Sequence, residues 1–227
     1  MMPMKNGRFY LPSRNRPKSL ERFFQAYRDT GAVCPGWVVL NADDWENNRG
    51  VYEAIALPAG WSYSIAKQEA ATVTQSPERS AWRSIVELFP RLSPKTQSEA
   101  TPEPIDSMCS AMRSMWPSMT DLDWVGWADD DYLPETPGWD VKMIEGLRGY
   151  NFVSTNDCWK ARGDKLGRMC GAWAFSGDLL RAVGYLVPPG LKKSYVDDVW
   201  ETIGRATDTW ATRMDIVVRH LHPETGL

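Results

Sequence analysis

Asp129, Asp130 and Asp131 follow one another directly behind the apolar run 124–128. Three neighbouring carboxylates repel one another, and a folded chain tolerates them best where a cation or several hydrogen-bond donors offset the charge. A divalent ion is the economical partner: hard Mg2+ and Mn2+ take carboxylate oxygens, and Mn2+ also accepts imidazole. The two histidines of the chain, His220 and His222, close the last apolar run, and in a strand their spacing turns both to one face. One or two of the aspartates with one imidazole would hold the ion and leave positions open for phosphate. The plainer alternatives are a helix cap or acidic turn for the aspartates and a structural role for the histidines. Zinc held by the histidines alone has no thiol spacing to support it. Two further polar clusters, 13–16 and 41–44, also stand directly after apolar runs.

Placing these clusters together requires an alternation of strands and helices. Residues 8–12 read as a first strand that breaks at Ser13-Arg14-Asn15-Arg16-Pro17, where proline can open a helix. A helix over 19–30 follows, with Leu20, Phe23, Phe24 and Tyr27 at three- and four-residue steps and Gly31 at its stop. Residues 33–40 read as a second strand buried on both faces, and 57–67 as a further strand or edge hairpin. Helical spacing marks 80–89, and the Pro- and Ser-rich stretch 90–106 reads as an exposed loop. The row Met108, Met112 and Met115 reads as core filling on a helix. A strand over 124–128, a helix over 138–148, a strand over 151–157, helices over 178–183 and 197–204, and a late strand over 214–221 complete the pattern. Such alternation implies one α/β domain with an open, mostly parallel central sheet flanked by helices, and in such sheets ligands gather beyond the carboxyl ends of the strands.

Composition agrees with one domain. The chain has 227 residues, 43% hydrophobic and 24% charged, enough for a substantial core. No run approaches the roughly 18 apolar residues of a membrane span, and the opening residues lack the apolar stretch of a leader, so no membrane partner and a cytoplasmic location are expected. The net charge of −3 excludes a general basic field for nucleic acid, but Lys5, Arg8, Arg14, Arg16, Lys18, Arg22 and Arg28 face only Glu21 through residue 28, so that end could hold an anion. Cys34, Cys109, Cys158 and Cys170 are scattered and read as reduced structural thiols.

Several motifs in order along most of the chain resemble GT-A glycosyltransferases, and among them inverting family-2-like enzymes. FYLPSRNRPKSLERFFQAY resembles their first strand, nucleotide-contacting loop and helix; VLNADD the second strand and its base-reading acid; WVGWADDDYLP their DxD element; GAWAFSGDLLRAVGYL the segment before the acceptor side. VDDVWETIG resembles the acidic pair that carries the general base, and RHLHP the late metal-binding histidine. The resemblance implies a single GT-A-like, Rossmann-type domain over 1–227, with a nucleotide-binding half at 1–60 and a metal and acceptor half at 124–227. It sets Ser13, Arg14, Arg16, Asp43, Asp44, Asp129 and Asp130 against a nucleotide-sugar donor, a UDP-sugar first. Asp129 and Asp131 with His222 or His220 would hold Mn2+ or Mg2+, and Asp198, or second Asp197, would take the acceptor proton. A solvated basic loop for the arginines, a turn for Asp43 and Asp44, and a helix-dipole role for Asp197 and Asp198 are the structural alternatives.

The acceptor is less sharply defined. Compact sequences with this opening resemble phage and metagenomic transferases, which makes hydroxymethylated DNA the first acceptor and, for a viral protein, the host cytoplasm the location. Trp159, Lys160, Arg162, Lys165 and Arg168 would supply a basic, aromatic contact surface. A glycan or small-molecule acceptor is the enzymatic alternative, with tryptophans as stacking platforms. A non-catalytic nucleotide-sugar-binding module is the alternative from outside catalysis. A pyrophosphorylase-like enzyme would call for a glycine-rich loop that SRNRP does not contain. The oligomeric state is open.

Overall fold

The computed structural model describes residues 6–66, 108–159, 169, 171–188, 191 and 196–221. The expected helix at 80–89, the stretch 90–106, Lys160, Arg162, Lys165, Arg168, Cys170 and His222 lie outside the described residues. The strands are β1 (Gly7–Ser13), β2 (Gly36–Asn41), β3 (Trp61–Ala66), β4 (Trp124–Trp127), β5 (Tyr132–Pro134), β6 (Phe152–Asn156), β7 (Trp173–Ser176) and β8 (Trp210–His220). The helices are α1 (Pro17–Asp29), α2 (Ala42–Glu53), α3 (Met108–Ser114), α4 (Trp139–Gly146), α5 (Gly177–Val183) and α6 (Val196–Thr207).

One sheet runs in the order β3-β2-β1-β4-β7-β6-β8-β5. The pairs β3/β2, β2/β1, β1/β4 and β6/β8 are parallel, and only β7 and β5 run against their neighbours. This is the expected single α/β domain with a mostly parallel sheet. Helices cover both faces, as parallel strands buried on two sides require. Phe9, Leu11, Phe23, Phe24, Tyr27, Trp139 and Met143 form the core on the side of α1, α2 and α4. Tyr10, Met112, Trp127, Phe175, Trp200 and Ile203 form the core beneath α3, α5 and α6.

The aromatic residues decide where α1 lies. Its Phe23, Phe24 and Tyr27 meet the Trp61 ring at centroid distances of 6.1, 5.0 and 5.6 Å, and Phe9 stands 5.1 Å from Trp139. Gly126 admits this packing, since a Cβ there would run into the Phe9 ring. Gly31 takes φ 65° just after α1, the left-handed stop that glycine tolerates.

Three elements differ from the sequence reading. Val33 and Cys34 precede β2 without joining it, because their N–H groups donate to Asp140 Oδ2 at 2.7 and 2.6 Å rather than to a strand. Ala42, Asp43 and Asp44 are not a turn after the second strand; they open α2, a helix the sequence reading did not place, whose buried residues are Asp44 and Tyr52. Between β6 and β8 the register slips: Thr155 faces Arg213 and Asn156 faces Val217, a bulge around Met214, Asp215 and Ile216. Burial pushes the Cys34 thiol well up.

Trp139 is fully buried against three aromatic partners on β1 and α1. Trp139→Ala is expected to lower stability by about 3–5 kcal/mol through lost burial and the cavity left behind, measured by urea unfolding. A loss below about 1 kcal/mol would show that α1 is not held by this aromatic box.

Candidate functional site

Strands β1, β2, β4, β6 and β8 end at the same edge of the sheet, and their carboxyl ends carry the polar clusters. At the tip of β4, Asp129 Oδ1 accepts the Trp127 indole N–H at 2.9 Å. Asp130 is 1% exposed; its Oδ2 accepts the Ser13 hydroxyl at 2.6 Å, and its Oδ1 pairs with Arg16 Nη2 at 3.0 Å. Asp131 Oδ2 accepts from Arg16 Nη1 at 3.0 Å, while its Oδ1 faces His220 Nε2 at 3.6 Å. The end of β8 is tied to this tip by its backbone: Tyr132 pairs with His220, Leu221 N–H donates to Asp131 O at 2.9 Å, and His220 N–H donates to Asp157 O at 3.0 Å. The imidazole stands edge-on to Tyr132 at 4.9 Å and to Trp159 at 5.3 Å.

The charge balance of this cluster follows from burial. Burial, then the neighbouring Asp131 charge, raises the Asp129 carboxyl to about 6. Burial raises Asp130 to about 7, against the opposing pull of Arg16 and the Ser13 hydrogen bond. Asp131 goes the other way, because contact with His220 and Arg16 outweighs burial and holds its carboxyl below the usual range. Burial lifts the Tyr132 phenol well above its ordinary value, and the charges of Asp129, Asp131, Asp157 and Asp197 add to that rise.

Asp129, Asp130, Asp131, His220, Ser13 and Arg16 therefore come together, while Asp197 stands in the first turn of α6, its charge felt at Tyr132. Asp198 is the next residue of that helix; its carbonyl accepts the Thr202 hydroxyl at 2.7 Å. Arg14 and Asp43 form an ion pair at 3.1 Å on the exposed rim. Asp44 lies beneath them, 1% exposed, and accepts from Asn15 N–H, Tyr52 hydroxyl and Asn48 side chain at 2.9, 2.8 and 2.8 Å. His222 is outside the described residues. Asp157, missed by the sequence reading, is buried behind β6 and accepts Trp159 N–H at 2.9 Å. Its place directly after an apolar strand was the available signal.

Among the described residues no three His, Cys, Asp or Glu side chains already form a metal-holding group. The donor chemistry nevertheless suits a hard divalent ion: carboxylates at Asp129 and Asp131, an imidazole at His220, and more negative charge than Arg16 alone offsets. Asp130 Oδ1 and Asp131 Oδ1 are buried and meet only the charged partners Arg16 and His220, without a well-formed hydrogen bond.

No family model matches the sequence, and no curated protein does. Solved structures do share the fold. Glucosyl-3-phosphoglycerate synthase from Mycobacterium tuberculosis, in complex with Mn2+, uridine diphosphate and glucosyl-3-phosphoglycerate, matches 98% of this chain with 75% of its own. Its identity to this chain is 14% and the TM-score 0.54. A mycobacterial protein matches 96% of this chain with 68% of its own, at 13% identity and a TM-score of 0.56. At such identities the likeness is one of fold. No helix among the described residues is long and apolar enough to cross a membrane.

Arg16 sits between two carboxylates, one of them fully buried. Arg16→Leu in metal-free buffer is expected to destabilise the protein by about 1–3 kcal/mol, because Asp130 loses its counter-charge. Urea unfolding measures this, and an unchanged midpoint would show that the acids are balanced elsewhere.

Proposed function

We propose that this chain is a metal-dependent glycosyltransferase that moves a sugar from a nucleotide-sugar donor, a UDP-sugar first, to an acceptor hydroxyl with inversion. The observation that carries the reading is the approach of His220, from the last strand, to Asp131 at 3.6 Å beside Asp129 and Arg16. The shared fold supports it as well, since the synthase of that fold was solved with Mn2+ and uridine diphosphate. In this reading the donor lies over residues 1–60 and the acceptor approaches from 124–227.

Asp129, Asp131 and His220, or His222 in its place, would hold Mn2+ or Mg2+. The bound ion supplies Lewis-acid stabilisation for the departing diphosphate. Arg16 and Arg14 orient the phosphate oxygens through planar guanidinium forks; their bonds to Asp131 and Asp43 lie toward solvent and can exchange, while the buried Asp130 keeps hold of Arg16. Asp43 accepts hydrogen bonds from the ribose or base. One carboxylate of the pair Asp198 and Asp197 accepts the acceptor's proton as its oxygen bonds to the anomeric carbon, and the bond from that carbon to the diphosphate oxygen breaks with the electron pair leaving on the nucleoside diphosphate. Asp198 is the first candidate for this base and Asp197, its neighbour in the first turn of α6, the second. Trp159, edge-on to His220, begins the basic stretch that would meet an acceptor. 5-Hydroxymethylcytosine in DNA is the first acceptor to test, ahead of glycans and small molecules.

Thermal shift with a panel of nucleotide sugars is expected to show stabilisation that requires Mn2+ or Mg2+, lost in Asp131→Asn and His220→Ala. No metal-dependent shift with any donor would remove the reading. In coupled assays of nucleotide release against hydroxymethylated DNA, plain DNA and glycans, Asp198→Asn or Asp197→Asn should abolish transfer while sparing donor binding. Full turnover in both would dismiss the base assignment, and binding without turnover in the unmodified protein would make it a nucleotide-sugar-binding module.

A further inference from the structure

The loop joining β1 to α1 is fastened on both sides by buried carboxylates. On the β2 side, Asp44 Oδ2 accepts the Asn15 N–H at 2.9 Å and the Tyr52 hydroxyl at 2.8 Å. Asn48 Nδ2 lies within 2.8 Å of Asp44 Oδ1 and 3.1 Å of Asn15 Oδ1, bridging helix and loop. On the β4 side, Asp130 accepts the Ser13 hydroxyl at 2.6 Å and pairs with Arg16 at 3.0 Å. Between the two fastenings Asn15 adopts φ 55°, a left-handed turn that asparagine tolerates better than most residues with a side chain.

Both carboxylates are 1% exposed, so a ligand could reach them only by displacing the loop they hold. Their sequence neighbours differ: Asp43 has 58% of its side chain exposed and Asp131 25%. Each acidic cluster thus splits into a member turned inward, bonded to the loop and, for Asp44, also to α2, and a member turned to the open edge. The loop so held carries Arg14 and Arg16, whose aim would otherwise have to be ordered at the moment of binding, at an entropic cost.

We infer that Asp44 and Asp130 are positioning residues that pre-form the loop of Ser13, Arg14, Asn15 and Arg16 to receive a nucleoside diphosphate, without themselves touching it. The nature of the ligand rests on the sugar-nucleotide reading; the fastening of the loop does not.

The test uses the full chain and four variants. Tyr52→Phe and Ser13→Ala each remove one donor from one fastening, Ser13→Thr restores the hydroxyl, and Asp43→Asn alters the exposed neighbour. Amide hydrogen exchange across residues 13–16 without ligand, and UDP affinity in Mn2+ by calorimetry, are the readouts. Tyr52→Phe and Ser13→Ala are expected to speed exchange in the loop and weaken UDP about tenfold, the scale seen when groups that orient direct ligands are removed. Ser13→Thr should recover both properties, and Asp43→Asn should weaken UDP with exchange unchanged. Unaltered exchange in both Tyr52→Phe and Ser13→Ala would overturn the inference, as would faster exchange with unaltered affinity. If the unmodified chain binds no UDP with or without Mn2+, the sugar-nucleotide reading fails, while the exchange data still decide whether the carboxylates hold the loop.

Discussion

Three consecutive carboxylates behind a buried strand need positive charge or donors within a few ångströms, since an unpaired charge out of water is too expensive for a fold to carry. Here the donors arrive from separate parts of the chain. Ser13 and Arg16 come from the first crossover, the Trp127 indole from β4 itself, and His220 from the last strand. The requirement ties the beginning, the middle and the end of the sequence to one point at the edge of the sheet. Backbone bonds from His220 and Leu221 to Asp157 and Asp131 reinforce the tie.

Packing makes the convergence possible. Arg16 immediately precedes α1, so its reach depends on where that helix lies, and the contacts of Phe23, Phe24 and Tyr27 with Trp61 and Trp139 set that place. At the far end of α1 the chain is held again, as Val33 and Cys34 donate to the buried Asp140 at the start of α4. Dispersion and burial among large rings thereby fix the position of a guanidinium they never touch.

Much of this was legible in the sequence. The apolar runs gave β1, β2, β4 and β6, the spacing of Leu20, Phe23, Phe24 and Tyr27 gave α1, and strand-end logic brought out the aspartates and His220. Helix α2 escaped because its buried side carries Asp44 and Tyr52 rather than an apolar stripe, which leaves a periodicity search nothing to find. For the same reason Asp43 and Asp44 were indistinguishable as a sequence, although about 100° of helical turn sends one outward and the other inward. Strand β7 was passed over too: four residues, all buried, are too short a run and carry no alternation to mark a strand. Asp157 was passed over because a single acid after a strand stands out only once its neighbours in space are known.

The bulge in β8 has a consequence of parity. Before it, Trp210 stacks on Phe152 and Thr212 meets Ser154, so even-numbered positions look toward α6. Across it β6 advances one residue while β8 advances four. Three surplus residues are an odd number, and in a strand an odd number exchanges the faces. Ile216 and Val218 accordingly enter the opposite core, the one that holds Tyr132, and His220 follows them. A strand of uninterrupted pleat would have turned that imidazole toward the wrong layer, so an irregularity in hydrogen bonding several residues upstream selects the side of the sheet on which the ring arrives.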